Sequence, residues 1–514
     1  MTAAPHPHPR STERVGSRVA ASATLLWSGN MLLRLLQLVT TAILARILTP
    51  ADYGLVALAM TVVGLIEVVS DLQLGGAIIR SRELEQAHLD SVFTIGLLRG
   101  LLTGLFLAAF AIPIAGYMHD ARLENLFYAL AVGAVIGGIK NPYFILFERN
   151  LEFRQEVWRN IVCALLGNGF GILVAILTRS YWALVIGMMA NNALSMLLSY
   201  WRVPGRPRLS LARWRELFGF GGWLMLINVM NYVNGKLDYV LIGRGLGSTR
   251  LGAYHIGQQI TTMSTGDVIG PASRAMFPAF ALFSDDPARL RASYRRAQAV
   301  VLAVALPIGF GVSALAPEIV RLLVGPRWGE AVPVIRFLAP LIALQTLGAG
   351  VTSVALAAGR TRALFVRTTI ILIVRGTLMF VGYHLGGFFG IIYARIASGT
   401  FFLIYELNLA AAITGGRSTD SVVAGWRSLL SVACMWPVLL LLPGAPGAID
   451  YPRLVLLLGA KVALGAAIYV GVHALLWRLA GRPEGPESRL IHEATSVLRR
   501  VLGSGRISSR GRHS

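Results

Sequence analysis

The chain has 514 residues, 55% of them hydrophobic and 14% charged, with a mean hydropathy of +0.64 and a formal net charge of +22. So little charge cannot cover a soluble globule of this size, and these values make the bilayer the solvent. The basic residues gather in the breaks between apolar runs, where membrane topology accounts for them, so nucleic acid is excluded as a partner.

Residues 1–19 place arginines ahead of an apolar run that is too long for a signal peptide and shows no convincing small-residue cleavage site, which predicts a cytosolic N-terminal tail. Apolar stretches of about 20 residues, the length that crosses the hydrocarbon, then predict helices over 20–47, 54–78, 91–116, 124–147, 157–178 and 181–201. The basic stretch VPGRPRLSLARWREL marks a cytosolic linker over 202–216. Further helices follow at 217–243, 251–280, 297–316, 331–358, 364–384 and 386–413, then at 424–443 and 452–478. The expected fold is an all-α polytopic membrane protein of about fourteen transmembrane helices. It comprises two pseudo-symmetric six-helix lobes, 20–201 and 217–413, two extra helices within 414–479, and a basic tail over 480–514. In that tail Leu490, Ile491, Ala494, Val497, Leu498, Val501 and Leu502 share one side, the pattern of an amphipathic helix lying on an anionic leaflet. Cys163 and Cys434 lie inside apolar stretches and are expected as packing residues, with neither a disulfide nor a metal site.

An even number of spans puts both termini on one side. With the N-terminus cytosolic, the Arg202–Arg215 and Arg289–Arg296 clusters fall inside, together with Arg80, Arg82, Arg149, Arg154, Arg360, Arg362 and Arg417. The opposite loops hold Arg122, Arg179, Arg250, Arg321, Arg327 and Arg453, so the bias satisfies the positive-inside rule. The chain also resembles itself: without a gap, Asn30 aligns with Asn228, Arg46 with Arg244, Leu48 with Leu246 and Gly54 with Gly252. That offset equals the spacing of the two six-helix groups, so the halves share an orientation about an axis along the membrane normal. Transporters of that design hold substrate between the halves and rock around it.

Several segments resemble, in order, the bacterial Wzx-type polysaccharide flippases of the multidrug/oligosaccharidyl-lipid/polysaccharide exporter superfamily. They are DLQLGGAIIRSRELEQAHLDSVFTIGLLRGLL from Asp71, FERNLEFRQEVWRN from Phe147 and LDYVLIGRGLGSTRLGAYHIGQQI from Leu237. RAMFPAFALFSDDPARLRASYRRA from Arg274 and APEIVRLLVGPRWGEAVPVIRFLAP from Ala316 continue the series, and the similarity spans about residues 20–415. The resemblance implies a V-shaped pair of six-helix lobes. It also implies movement of undecaprenyl-diphosphate-linked oligosaccharide from the inner to the outer leaflet of a bacterial cytoplasmic membrane. A polysaccharide polymerase and glycosyltransferases are the partners it implies, beside membrane lipids.

Ionised side chains inside spans are costly and are kept where they face a cavity or a partner. Arg34 heads a polar stripe with Asn30, Gln37 and Thr41, and a guanidinium can hold phosphate oxygens in a fixed fork. Arg34, Arg99, Lys140, Lys236 and Arg274 are therefore the candidate cationic substrate residues, with snorkelling or ion pairing as the structural alternative. Arg99 departs from the apolar or small residue expected of the family there. Glu67, Asp71, Asp238 and Asp267 are candidates for coupling to H⁺ or Na⁺, or for internal salt bridges. Pro142 and the Gly270–Pro271 step in GDVIGPASR mark candidate hinges, and Pro307 and Pro340 also interrupt spans. No P-loop motif is present, and no cofactor is expected. An inside-negative potential drives a pyrophosphate outward by about 2.3 kcal/mol per charge per 100 mV. The competing functions are a multidrug/cation antiporter on the same fold and, with only short Arg-rich loops to support it, a membrane glycosyltransferase or polymerase.

Overall fold

The computed structural model describes residues 9–70, 76, 78, 84–150, 152–201, 203, 205–214, 222–266, 280, 286–357, 359–444 and 450–482. Every regular element among them is helical. Asp71, Asp267, Gly270, Pro271, Arg274 and the amphipathic stretch from Leu490 lie outside the described residues.

The described chain forms two compact units. The first comprises Met1–Ile256, Leu323–Glu330 and Gly386–Phe388, and the second comprises Gly257–Leu322, Ala331–Leu385 and Phe389–Ser514.

In the first unit, α1 (Pro9–Ile47) and α2 (Pro50–Ser70) meet at a tight corner. The unit continues through α3 (Gln86–Tyr117), α4 (Arg122–Gly138), a 3-10 turn at Pro142–Phe144 and short α5 (Ile145–Arg149). α6 (Phe153–Thr178), α7 (Trp182–Ser199), α8 (Gly222–Leu246) and most of α9 (Ser248–Thr261) complete it. Glycines let the helices approach closely, as small residues do wherever lipid offers no hydrophobic drive to association. A Cβ on Gly100 of α3 would come within 2.9 Å of the Gly138 Cα on α4, and Gly171 of α6 faces Gly187 of α7 at 3.4 Å. Trp328 is fully buried, donates from Nε1 to the Ala45 carbonyl at 2.9 Å and meets the Tyr53 ring edge-on. That contact gives the GPRW segment a structural task at the end of α1.

The second unit contains α10 (Pro287–Ala314), α11 (Ala316–Leu323) and α12 (Ala331–Gln345). It also holds α13 (Val351–Ala357), most of α14 (Thr361–Thr414), α15 (Asp420–Leu441) and α16 (Tyr451–Leu479). Its core joins Leu302 and Leu306 of α10 to Ala343 of α12, Val432 and Met435 of α15, and Tyr469 of α16. The span expected over 331–358 is broken: a 3-10 turn at Thr346–Gly348 and Gly350 at φ +85° separate α12 from α13. α14 turns back on itself at Gly387 (φ 53°, ψ −124°), two residues beyond the expected connection.

Ten described helices are long and apolar enough to span a membrane, or eleven when the bent pair α4 and Pro142–Arg149 is taken as one span. Among the ten, α14 counts once although it turns back at Gly387. α8, with Lys236 and Asp238 inside its apolar run, is not among them, and α9 continues through a π-helical turn, Thr262–Gly266, to the end of the residues described there.

Candidate functional site: a polar cavity inside the first unit

The cavity is built around the break in the fourth span. α4 ends at Gly138, and the axis bends by 61° before the chain resumes at Pro142. Pro142 thus opens a short helix after a break, a position that suits its missing N–H, and does not kink a continuous one. Asn141 satisfies the freed backbone. Its N–H donates to Ser199 Oγ at 2.9 Å, its Oδ1 accepts from Tyr143 N at 3.0 Å, and its Nδ2 donates to the Gly205 carbonyl at 3.1 Å. Tyr200 donates its hydroxyl to the Ile139 carbonyl at 2.7 Å.

The basic connection after α7 is laced along α3. Arg208 N donates to Asp90 Oδ1 at 2.9 Å, Ser210 N to Thr94 Oγ1 at 2.9 Å and Arg213 N to Ser91 Oγ at 3.2 Å. Asp90 and Thr94 are one helical turn apart, so one face of α3 holds the segment.

Beside the break lie two adjoining cavities. One, of about 260 Å³, is lined by Glu67, Arg99, Thr103, Lys140 and Asn192. The other, of about 360 Å³, is lined by Arg99, Lys140, Phe144, Glu148, Glu156 and Arg159. They share the walls made by Gly96, Arg99, Gly137, Gly138 and Lys140. Arg99 is fixed by donating from Nε to Ser70 Oγ at 2.9 Å and from Nη2 to the Glu67 carbonyl at 3.0 Å. Arg159 lies 3.9 Å over the Phe144 ring, and its buried Nε has no hydrogen-bond partner. Lys140 and Arg159 line the same cavity. Three cations and three carboxylates therefore line the two adjoining cavities: the cations suit phosphate oxygens, and the carboxylates can accept from sugar hydroxyls.

Of the residues predicted from sequence, the structure brings Arg99, Lys140 and Glu67 together and sets Pro142 at their break. Arg34 sits half-buried on α1 and is not among the residues that line either cavity. Lys236 rests 3.9 Å over the Tyr239 ring, and fully buried Asp238 accepts from the Tyr254 hydroxyl at 2.5 Å. Sequence reasoning missed Arg159, Glu156 and Asn141. Arg159 could have been found as a charge just inside the start of the fifth apolar run. The burial of Arg367 with Glu406 (2.9 Å) and of Lys461 with Glu318 (2.7 Å), both in the second unit, was missed as well. Both cysteines are free, Cys163 buried and Cys434 exposed. Among the described residues no group of three or more His, Cys, Asp or Glu side chains could hold a metal.

The model of a family described as polysaccharide biosynthesis protein matches residues 43–333, more than half of the chain. The chain belongs to the polysaccharide biosynthesis protein family. Among its relatives, the lipopolysaccharide biosynthesis protein WzxC of Escherichia coli (strain K12) is 25% identical over 353 residues, covering 67% of this chain and 70% of that protein. The succinoglycan biosynthesis transport protein ExoT of Rhizobium meliloti (strain 1021) is 28% identical over 308 residues, 59% of this chain and 62% of ExoT. The chain thus spans less than two thirds of ExoT's length. The solved lipid II flippase MurJ, in an inward closed conformation, superposes with a TM-score of 0.69 at 14% identity, covering 89% of this chain and all of that one, and so shares the fold. Family membership and fold agree with the resemblance read from the sequence. As a member of the family, the protein is an all-α, multi-pass membrane protein.

Proposed function

We propose that this polysaccharide biosynthesis family member is a flippase that carries a lipid-linked oligosaccharide through the bilayer, with the sugar–diphosphate part of the substrate in the cavity at the α4 break. Lys140 and Arg159 carry the proposal, because cations on a cavity within apolar helices meet the charge that such a substrate must bring into the membrane. The likeness to WzxC, ExoT and the lipid II flippase MurJ supports the substrate class. The substrate is undecaprenyl-diphosphate-linked and moves from the inner to the outer leaflet of a bacterial cytoplasmic membrane by alternating access of the two repeat halves. Both termini are cytosolic, as the arginine distribution requires. The membrane potential drives the anionic head outward, and an inward H⁺ or Na⁺ adds to that force where the substrate is too weakly charged. A polymerase and glycosyltransferases act on either side of the step.

The test is translocation of a fluorescent polyprenyl-diphosphate oligosaccharide in proteoliposomes under an inside-negative potential. The native chain should transport it, and Lys140→Gln/Arg159→Gln should lose transport while melting like the native chain. A native chain that moves no lipid-linked sugar but exports a cationic dye against a proton gradient would replace the flippase by an antiporter.

A further inference from the structure

Arg99 and Thr103 form walls of two different spaces. On one side is the polar cavity; on the other, a groove of about 650 Å³ is lined by Val69 of α2, Leu98, Leu102 and Phe106 of α3, and Leu211 and Trp214 of the connection after α7. Helical spacing produces this division. Leu98, Leu102 and Phe106 succeed one another by four residues and form one apolar stripe, and Arg99 and Thr103 form the next stripe round the same helix, about 100° away. Phe106 stacks on Phe110 at 4.5 Å, so the apolar stripe continues another turn.

The end of the groove is constructed. Leu211 and Trp214 belong to a basic segment, yet both line an apolar space, and they are held there by the hydrogen bonds of Ser210 and Arg213 to Thr94 and Ser91 of α3. A surface that only bulk lipid wets needs no such closure from a polar connection. A ligand with one long apolar chain and a polyanionic head fits both spaces at once, because the groove and the cavity that holds Lys140 share a wall.

We propose that the α2–α3 groove seats the polyprenyl chain of the lipid-linked substrate, with Arg99 and Thr103 as the wall over which the chain passes to a diphosphate beside Lys140 and Arg159. This rests on the flippase reading. The chain lies along Leu98, Leu102 and Phe106, and Leu211 and Trp214 stop it at one end. A diphosphate can engage Lys140 and Arg159, which line one cavity, at the same time, whereas a phospholipid brings them a single phosphate.

The full-length protein in nanodiscs, with a photoreactive amino acid at Leu102 or at Leu173, tests this. Leu173 is an exposed position on α6 that does not line the groove. Irradiation with radiolabelled polyprenyl-diphosphate oligosaccharide should give severalfold more adduct at Leu102 than at Leu173. Excess polyprenyl diphosphate should compete, phospholipid should not, and Lys140→Gln/Arg159→Gln should lower the yield at Leu102. Equal yields at the two positions, or competition by phospholipid, would overturn the groove as a substrate site and leave it wetted by bulk lipid. Translocation is measured on the same variants. Transport with equal yields removes the groove alone, adducts confined to Leu102 without transport remove the flippase reading alone, and absence of both removes both.

Discussion

Gly54 and Gly252 cross backbone against backbone: a Cβ on Gly54 would collide with the Ser248 carbonyl, and a Cβ on Gly252 with the Pro50 carbonyl. These four residues are two equivalent pairs of the internal repeat, since Pro50 stands to Ser248 as Gly54 stands to Gly252. The contact is therefore self-complementary about a local pseudo-two-fold, as an isologous interface between two subunits would be. It locks the α1–α2 corner to the α8–α9 corner within the first unit. Gly54→Ala and Gly252→Ala should each destabilise by about 1–3 kcal/mol, the cost of overpacking a close contact. The double variant should cost less than the sum, because one separation of the backbones relieves both clashes. Thermal melts of the three proteins in one detergent check this; additive losses would mean the two collisions are independent.

Lys461 and Glu318 are paired at 2.7 Å with side chains only 5% and 2% exposed. Removing one partner leaves a buried charge alone, so Lys461→Met should destabilise by about 3–5 kcal/mol, whereas Lys461→Met with Glu318→Leu should restore most of the loss. Melting temperatures of the single and double variants decide between a pair that specifies geometry and one that supplies net stability.

Asn141 is a positioning residue for Lys140. Asn141→Ala removes the bond to the Gly205 carbonyl and the acceptor for Tyr143 N, while its backbone bond to Ser199 remains. A loss of about 1 kcal/mol in stability is expected from the missing cap. The bend should also become less fixed, lowering transport at saturating substrate more than it lowers affinity. Asn141→Asp keeps the acceptor but loses the donor and should fall between the two; a variant with unchanged transport would separate the break from the site.

Asp120 is gripped by Arg122 through Nε at 3.0 Å and Nη2 at 2.7 Å. Burial works to raise its pKa, but the hydrogen bonds and charge of Arg122 prevail and hold the carboxyl below its ordinary 3.8. A depressed folded value means that the stabilisation is present at neutral pH and is lost as pH falls through that lowered value. Asp120→Asn should therefore melt slightly below the native protein at pH 7, the effect being small because the pair is partly solvated, and the gap should close below pH 3.8. A gap that persists in acid would assign the loss to packing.

Membrane class and most helix positions were legible in the chain itself, because the bilayer demands long apolar runs, and those are local properties of sequence. Arg99, Lys140 and Glu67 stood out for the same reason: charge within an apolar run is conspicuous. Their convergence was not legible. It depends on Gly100 and Gly138 bringing α3 against α4, and on Asn141 holding a break that ties residues 58 and 64 positions away. Glu406 and Arg367 lie on opposite arms of a hairpin whose turn is set by Gly387, and Lys461 reaches Glu318 across 143 positions. Sequence alone thus determined what the protein is dissolved in and which residues are expensive to keep there. Tertiary structure alone decided which of those residues meet, because pairing across helices is fixed by close approach and rotation, which no local pattern encodes.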